Sequence, residues 1–294
     1  MGRNGIDIFS SAKRERRRVT MVTCYDYSMA RLVDRTGIDA VLVDDCIGTN
    51  MLGYETTLPV EMEDILSATE AVARGTTKPL VVADLPFLSY QASFEEGFHN
   101  AGDLVKAGAN AVKIQGSTSA TINLMAELVS HGIPVIGHIG MIPQGVNQFG
   151  GYKVQGKEVE QIAAILLACE RYVDAGVQTV VLECIPAELA KHITLTFPLT
   201  TIGIGAGPDC DGELQVIHDV LGLSGEQHRH SKAFVDGAAV VEAGLSQYDE
   251  AVKGRRFPAD DSTDHISTRL IDSAEDLLDD ITDSYFGPDG YIDN

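Results

Sequence analysis

Residues 105–114 read VKAGANAVKI. Val105 and Lys106 close an amphipathic stretch, Gly108 follows two residues later, and Ala111–Ile114 is a short run rich in apolar, strand-forming residues. A glycine just past a helix end suits the left-handed C-cap, because it has no Cβ to clash there. The same order recurs at 34–43 (DRTGIDAVLV), 129–137 (VSHGIPVIG) and 173–182 (VDAGVQTVVL), with Gly37, Gly132 and Gly176 in the glycine position. Each copy reads as helix end, glycine, short turn, buried strand.

Working outward, the strand candidates are Val19–Cys24, Ala40–Val43, Leu80–Ala83, Ala111–Ile114, Val135–Gly137, Thr179–Leu182 and Thr200–Ile204, with a weaker eighth at Ala233–Asp236. They are apolar along their length instead of alternating, which marks strands buried on both faces of a parallel sheet. Between them, Tyr27–Thr36, Phe94–Ala107 and Val159–Ala175 carry helical periodicity; in the first, Met29, Leu32 and Val33 form the apolar face. Seven or eight such units predict a closed (β/α)8 (TIM) barrel over an open doubly wound sheet. The 294 residues and 44% hydrophobic content are enough for that one large core.

The barrel is expected to occupy residues 1–258, with Gly237–Lys253 as one or two outer helices. Residues 259–294 hold eleven acids and one base, so about half of the net charge of −21 lies in this segment. It reads as an acidic extension, either disordered or a short docked helix with Leu277, Leu278 and Ile281 as its apolar side. So acidic a chain repels phosphate backbones and anionic bilayers, which excludes nucleic acid and membranes as expected partners. The basic run at residues 13–18 reads as a solvated face. Five cysteines, an odd number with no CxxC pair, argue for a reducing compartment, and no apolar leader precedes Val19. A cytoplasmic location is expected.

In such barrels chemistry sits at the C-terminal ends of the strands. The polar residues there are Asp44, Asp45 and Cys46, then Asp84, Lys113 with Gln115, His138 and Glu183. Five strand ends bearing acidic, basic and imidazole groups converge on one mouth if the barrel closes. Asp45 and Asp84 suit a hard cation such as Mg²⁺, which takes one or two protein carboxylates. A 2-oxo acid can complete its shell, and the ion then stabilises an enolate. Glu183, flanked by Leu182 and Cys184, is the candidate base, since an apolar setting raises a carboxylate pKa. Lys113 could pair with a substrate carboxylate and His138 could donate a hydrogen bond. Structural readings stand beside these: the aspartates as helix caps, Lys113 in a buried ion pair, His138 as a core histidine. Gly203–Pro208, GIGAGP, is open between an anion cradle and a tight turn.

These residues resemble ketopantoate hydroxymethyltransferase. The likeness runs from about Val19 to Pro258 and rests on TCYDYSMA (23–30), TTLPV (56–60), VVADLPF (81–87), AGANAVKI (107–114), IPVIGHIGMIPQ (133–144), FGGYKVQG (149–156), LECIPAELAKHIT (182–194) and IGIGAG followed by DG. The resemblance implies a barrel of the PEP mutase/isocitrate lyase-like superfamily and a homo-oligomer, a decamer in the family. It implies transfer of a hydroxymethyl group from 5,10-methylenetetrahydrofolate to 3-methyl-2-oxobutanoate, a step toward pantothenate. Asp45 and Asp84 match metal-binding aspartates, with Gln115 beside the metal. Lys113 and His138 match substrate contacts, and Glu183 matches the proposed base.

Three residues depart from the family pattern, which reads glycine, aspartate, serine where this chain has Asp44, Asp45, Cys46, and glutamate where it has Gln115. Asp44 and Cys46 are therefore expected at the substrate, with Asp44 restoring the charge that Gln115 lacks unless strand alternation turns it away from Asp45. The competing expectations are a related transferase or aldolase acting on another 2-oxo acid, and a non-catalytic barrel.

Overall fold

In the computed structural model, which describes residues 3–225 and 229–286, eight parallel strands close in sequence order into one barrel, β1 pairing with β8. Helix α1 (Asp7–Glu15) leads into β1 (Val19–Thr23), α2 (Tyr27–Val33), β2 (Ala40–Val43), the single turn α3 (Ile47–Asn50) and α4 (Met62–Gly75). Next come β3 (Leu80–Asp84), α5 (Phe94–Lys106), β4 (Ala111–Gln115), α6 (Ser119–Ser130), β5 (Val135–Gly140), a short α7 (Val146–Phe149) and α8 (Val159–Asp174). Then follow β6 (Thr179–Glu183), α9 (Ala187–Thr196), β7 (Thr200–Ile204), β8 (Gly212–Gln215), α10 (Ile217–Val220), α11 (Gly237–Lys253) and α12 (Thr268–Phe286).

Local chemistry sets the helix boundaries. Ser93 caps α5 by accepting from Glu96 N–H, acids fill that helix's first turn, and Lys106 sits in its last. Asp26 and Thr118 cap α2 and α6 in the same way. Gly108, Gly132 and Gly176 have positive φ at the ends of their helices, as the repeated motif predicts, whereas Gly37 does not.

Alternation along each strand divides the core in two. Ala40, Leu42, Leu80, Val82, Ala111, Ile136, Val181, Ile202 and Leu214 fill the barrel interior, whereas Val41, Val43, Val81, Val112 and Val180 pack outward against the helices. Phe9 and Ala12 of α1 join the interior cluster and seal one end. Replacing Phe9, which is 1% exposed, with alanine is expected to lower stability by about 3–5 kcal/mol, measured by urea denaturation. Continuing the inward parity toward the other end reaches Asp84, Lys113, Gln115, His138 and Glu183, so the interior changes from aliphatic to polar in a single layer.

Two expectations are corrected. The eighth strand is Gly212–Gln215, not Ala233–Asp236. GELQ hides from an apolar scan because only Gly212 and Leu214 are buried and Glu213 and Gln215 are not. A tight loop, with Gly205 and Gly207 at positive φ, joins β7 to β8. A Cβ on Gly207 would lie 2.5 Å from Ala187 Cβ, which supports the turn reading of GIGAGP. On α2 the buried face is Ala30 and Val33, while Leu32 is 54% exposed.

The chain divides into two compact units, Met1–Ala238 and Ala239–Asn294. In the second, Tyr248 packs edge-on against Phe257, and Leu277, Leu278 and Ile281 of the acidic helix are exposed. Among the described residues no helix is long and apolar enough to cross a membrane.

Candidate active site

The polar layer at the C-terminal ends of the strands gathers every residue singled out above. Strand register places Asp84 beside Lys113, Gln115 beside His138, and Glu183 between Gly140 and Ile204. Asp44, Asp45, Asp84, Lys113, Gln115 and His138 are all buried, and Glu183 keeps 18% side-chain exposure.

Lys113 Nζ lies 2.8 Å from Asp84 Oδ2. Gln115 Nε2 donates to the same oxygen at 2.8 Å and to Asp45 Oδ2 at 3.2 Å, so one amide ties the two carboxylates together. Asp84 Oδ1 and Gln115 Oε1 are buried with no hydrogen-bond partner. Neither aspartate caps a helix; Ser93 and Glu61 do that for α5 and α4. Lys113 therefore takes the ion-pair role within the chain.

Asp44 does not point away from Asp45. Asp44, Asp45 and Cys46 each present a ligand atom within 4.8 Å of the others. Inward parity through Ala40 and Leu42 reaches Asp44, and the strand ends at Val43, so the following turn carries Asp45 inward as well. Tyr25 Oη donates to Asp44 Oδ1 at 2.9 Å.

His138 Nε2 lies 2.7 Å from the Met141 carbonyl and 3.6 Å from Glu183 Oε2. A carbonyl only accepts, so this nitrogen carries the proton and its donor is spent on the backbone. The bare Nδ1 is buried without a partner, which makes the ring an acceptor instead of the donor expected. Burial, then the Lys113 charge, hold its pKa down at about 3, so the ring is neutral beside Glu183.

Four carboxylates crowd around one ammonium. Burial pushes Asp84 up to about 8, Glu183 up to about 8 and Asp44 up to about 6, with Lys113 opposing the shift in each case. Asp45 is raised for the same reason. Burial favours the neutral amine, but Asp84, Asp45 and Asp44 outweigh it, and Lys113 stays protonated. The excess of buried negative charge and the orphaned Asp84 Oδ1 fit a divalent cation. Cys46 is inert as a nucleophile, since burial and the charges of Asp44, Asp45 and Glu183 hold its thiol well above the usual range.

The strand-end scan missed three residues. Tyr25 holds Asp44. Gln144, in the loop after β5, donates to the Leu85 carbonyl and lies 3.5 Å from Asp45 Oδ2. Tyr90 donates its hydroxyl to Gln144 Oε1 or the Gln115 carbonyl, each at 2.9 Å. Tyr25 and Gln144 fall inside stretches that carry the resemblance, the available signal; Tyr90 has none.

Comparison with known proteins shows the family and the fold. A family model described as ketopantoate hydroxymethyltransferase matches residues 3–260. A protein of Moorella thermoacetica named 3-methyl-2-oxobutanoate hydroxymethyltransferase is 47% identical over 253 residues, covering 84% of this chain and 93% of its own. One of the same name from Clostridium botulinum is 45% identical over 259 residues, covering 87% and 94%. Among solved structures, phosphonopyruvate hydrolase in complex with oxalate and Mg²⁺ superposes with a TM-score of 0.58 at 12% identity, covering 94% of this chain and 97% of that one. A 2,3-dimethylmalate lyase of the PEP mutase/isocitrate lyase superfamily gives 0.56 at 14% identity, with full coverage of both chains. Those two likenesses carry the fold. The sequence matches carry the family and its activity: this chain belongs to the ketopantoate hydroxymethyltransferase family of enzymes.

Proposed function

We propose that the chain transfers a hydroxymethyl group from 5,10-methylenetetrahydrofolate to 3-methyl-2-oxobutanoate, using a divalent cation, Mg²⁺ by preference, held at Asp45 and Asp84. The observation that carries this reading is the buried layer in which two carboxylates joined by Gln115 lie beside Lys113, with Glu183 open to the mouth. When bound, the cation supplies Lewis acidity toward the keto oxygen. Gln115 holds the aspartates in register, and Tyr25 keeps Asp44 at the same end of the layer. Lys113 and the Cys46 S–H face the acid's carboxylate, and His138 Nδ1 is left as an acceptor for a donor the 2-oxo acid lacks, such as the hydroxyl of the product.

Glu183 takes the C3 proton, and the C–H electron pair moves into the keto group. C3 then forms its new bond to a carbon at the oxidation level of formaldehyde. Both C–N bonds of the donor's methylene bridge break, water provides the hydroxyl, and the two nitrogens take up the remaining water proton and the proton held by Glu183, so nothing is oxidised or reduced overall.

The test is incubation with 3-methyl-2-oxobutanoate and Mg²⁺ in D₂O without folate, following the C3 proton by NMR. Metal-dependent exchange is the expected result. Silence with this acid, and exchange with another of a panel of 2-oxo acids, would overturn the substrate; silence with all would overturn the enolisation step. Product formed only when methylenetetrahydrofolate is added supports the folate donor, whereas product from free formaldehyde alone would favour an aldolase.

A further inference from the structure

Helix α1 packs into the interior below the polar layer, and the layer lies at the C-terminal end of the strands, so the loops after the strands form the rim over which a one-carbon donor is expected to arrive. That rim carries exposed apolar surface. Met51, Leu52 and Tyr54 after β2, Leu88 after β3, and Tyr152 and Val154 after β5 are all exposed apolar or aromatic side chains.

Two of them are held in place. Leu88 is 55% exposed with φ +65°, a left-handed conformation that a branched side chain rarely adopts. The Ser89 N–H donates to the Pro86 carbonyl, and Asn100 Nδ2 donates to the Ser89 carbonyl, so the neighbouring turn enforces it. Residues kept in such regions cluster at ligand clamps.

Tyr152 follows Gly150 and Gly151, both at positive φ. Its loop is pinned on each side, by Gly151 N–H to the Val146 carbonyl at 3.0 Å and Gln155 N–H to the Cys184 carbonyl at 2.9 Å. The second bond ties it to the residue after Glu183. The ring is 58% exposed.

The same loop carries Lys153 and Lys157, both exposed, within a chain of net charge −21. Glu55 and Glu61 lie on the loop after β2. We propose that this rim is the seat of the one-carbon donor: the reduced pterin lies against Tyr152 and Leu88, and its glutamyl carboxylates run toward Lys153 and Lys157. The assignment rests on the reading of the site above and adds where its second substrate binds.

The experiment measures tetrahydrofolate binding by calorimetry to the full chain with Mg²⁺ and 3-methyl-2-oxobutanoate present. Tyr152→Ala should raise Kd by about tenfold, in line with the loss of one ring-stacking partner. Tyr152→Phe should restore affinity, since the ring and not the hydroxyl is the platform. Leu88→Gly, which also relieves the backbone, should weaken binding without lowering the Tm, and Lys153→Ala with Lys157→Ala should make Kd less dependent on salt. Unchanged Kd in both Tyr152→Ala and Leu88→Gly overturns the proposal. So does a change in sedimenting mass with Kd intact, which would make the rim a contact between copies of the chain. Wild-type proton exchange, measured without folate, reports separately on the floor of the site. Exchange with folate binding indifferent to the rim variants would sink the rim alone. Absent exchange with rim-dependent folate binding would sink the enolisation reading alone.

Discussion

Glu183→Gln is expected to slow Mg²⁺-dependent exchange of the C3 proton by roughly 10²–10⁴, the usual contribution of a positioned general base. The amide keeps the shape and the position beside Ile204 in the strand register but has no basic oxygen pair. Burial favours the protonated acid, with a pKa of about 8, so the exchange rate should rise with pH as the base form accumulates. A cation at Asp45 and Asp84 favours the charged form of Glu183 and should move that rise to lower pH. The variant also removes one of four crowded carboxylates. Without metal it should therefore melt at the same temperature as the parent chain or higher. Full exchange in Glu183→Gln would place the base elsewhere.

The second large effect concerns the metal. Asp84→Asn should weaken Mg²⁺ binding by about 100-fold or more, beyond the loss expected from removing a group that merely orients a ligand. Calorimetry measures this without turnover. The parent chain adds a pH signature. Asp84 at about 8, Glu183 at about 8 and Asp44 at about 6 all hold protons in the folded state at a pH where the unfolded chain has released them. Stability from these groups is complete below the ordinary carboxylate range, near pH 4, and is lost as pH rises through the folded values. A bound cation favours the charged carboxylates, so the gain in Tm on adding Mg²⁺ should grow between about pH 6 and pH 8. Asp84→Asn should flatten that growth; a gain independent of pH in the parent chain would mean that the ion binds away from this layer.

The residues differ in how plainly the sequence announced them. Asp84 and Glu183 were legible because each terminates an apolar strand, Lys113 because it interrupts one near its end, and a closed barrel brings strand ends together. His138 was legible as a position but not in its role, because its donor is consumed by a carbonyl three residues along, a contact no spacing rule reports. Tyr25, Tyr90 and Gln144 were missed for a different reason. They reach the layer from loops, and a loop side chain carries no periodic signal. β8 escaped because its outward residues, Glu213 and Gln215, are polar and its span is four residues long.

By itself the sequence determined the barrel, seven of its eight strands, the glycine-capped connections and the strand ends that bear chemistry. Those features follow from local geometry and from runs of apolar residues, which nearest neighbours along the chain encode. Only the tertiary structure decided that Asp44 shares the mouth with Asp45, that one amide of Gln115 joins two carboxylates, and that four acids meet one lysine below an apolar rim. These depend on distances between residues far apart along the chain, such as Gln144 and Asp45, 99 positions apart. Burial then sets the protonation, because a carboxylate's charge is costly only where the closed barrel has removed its water.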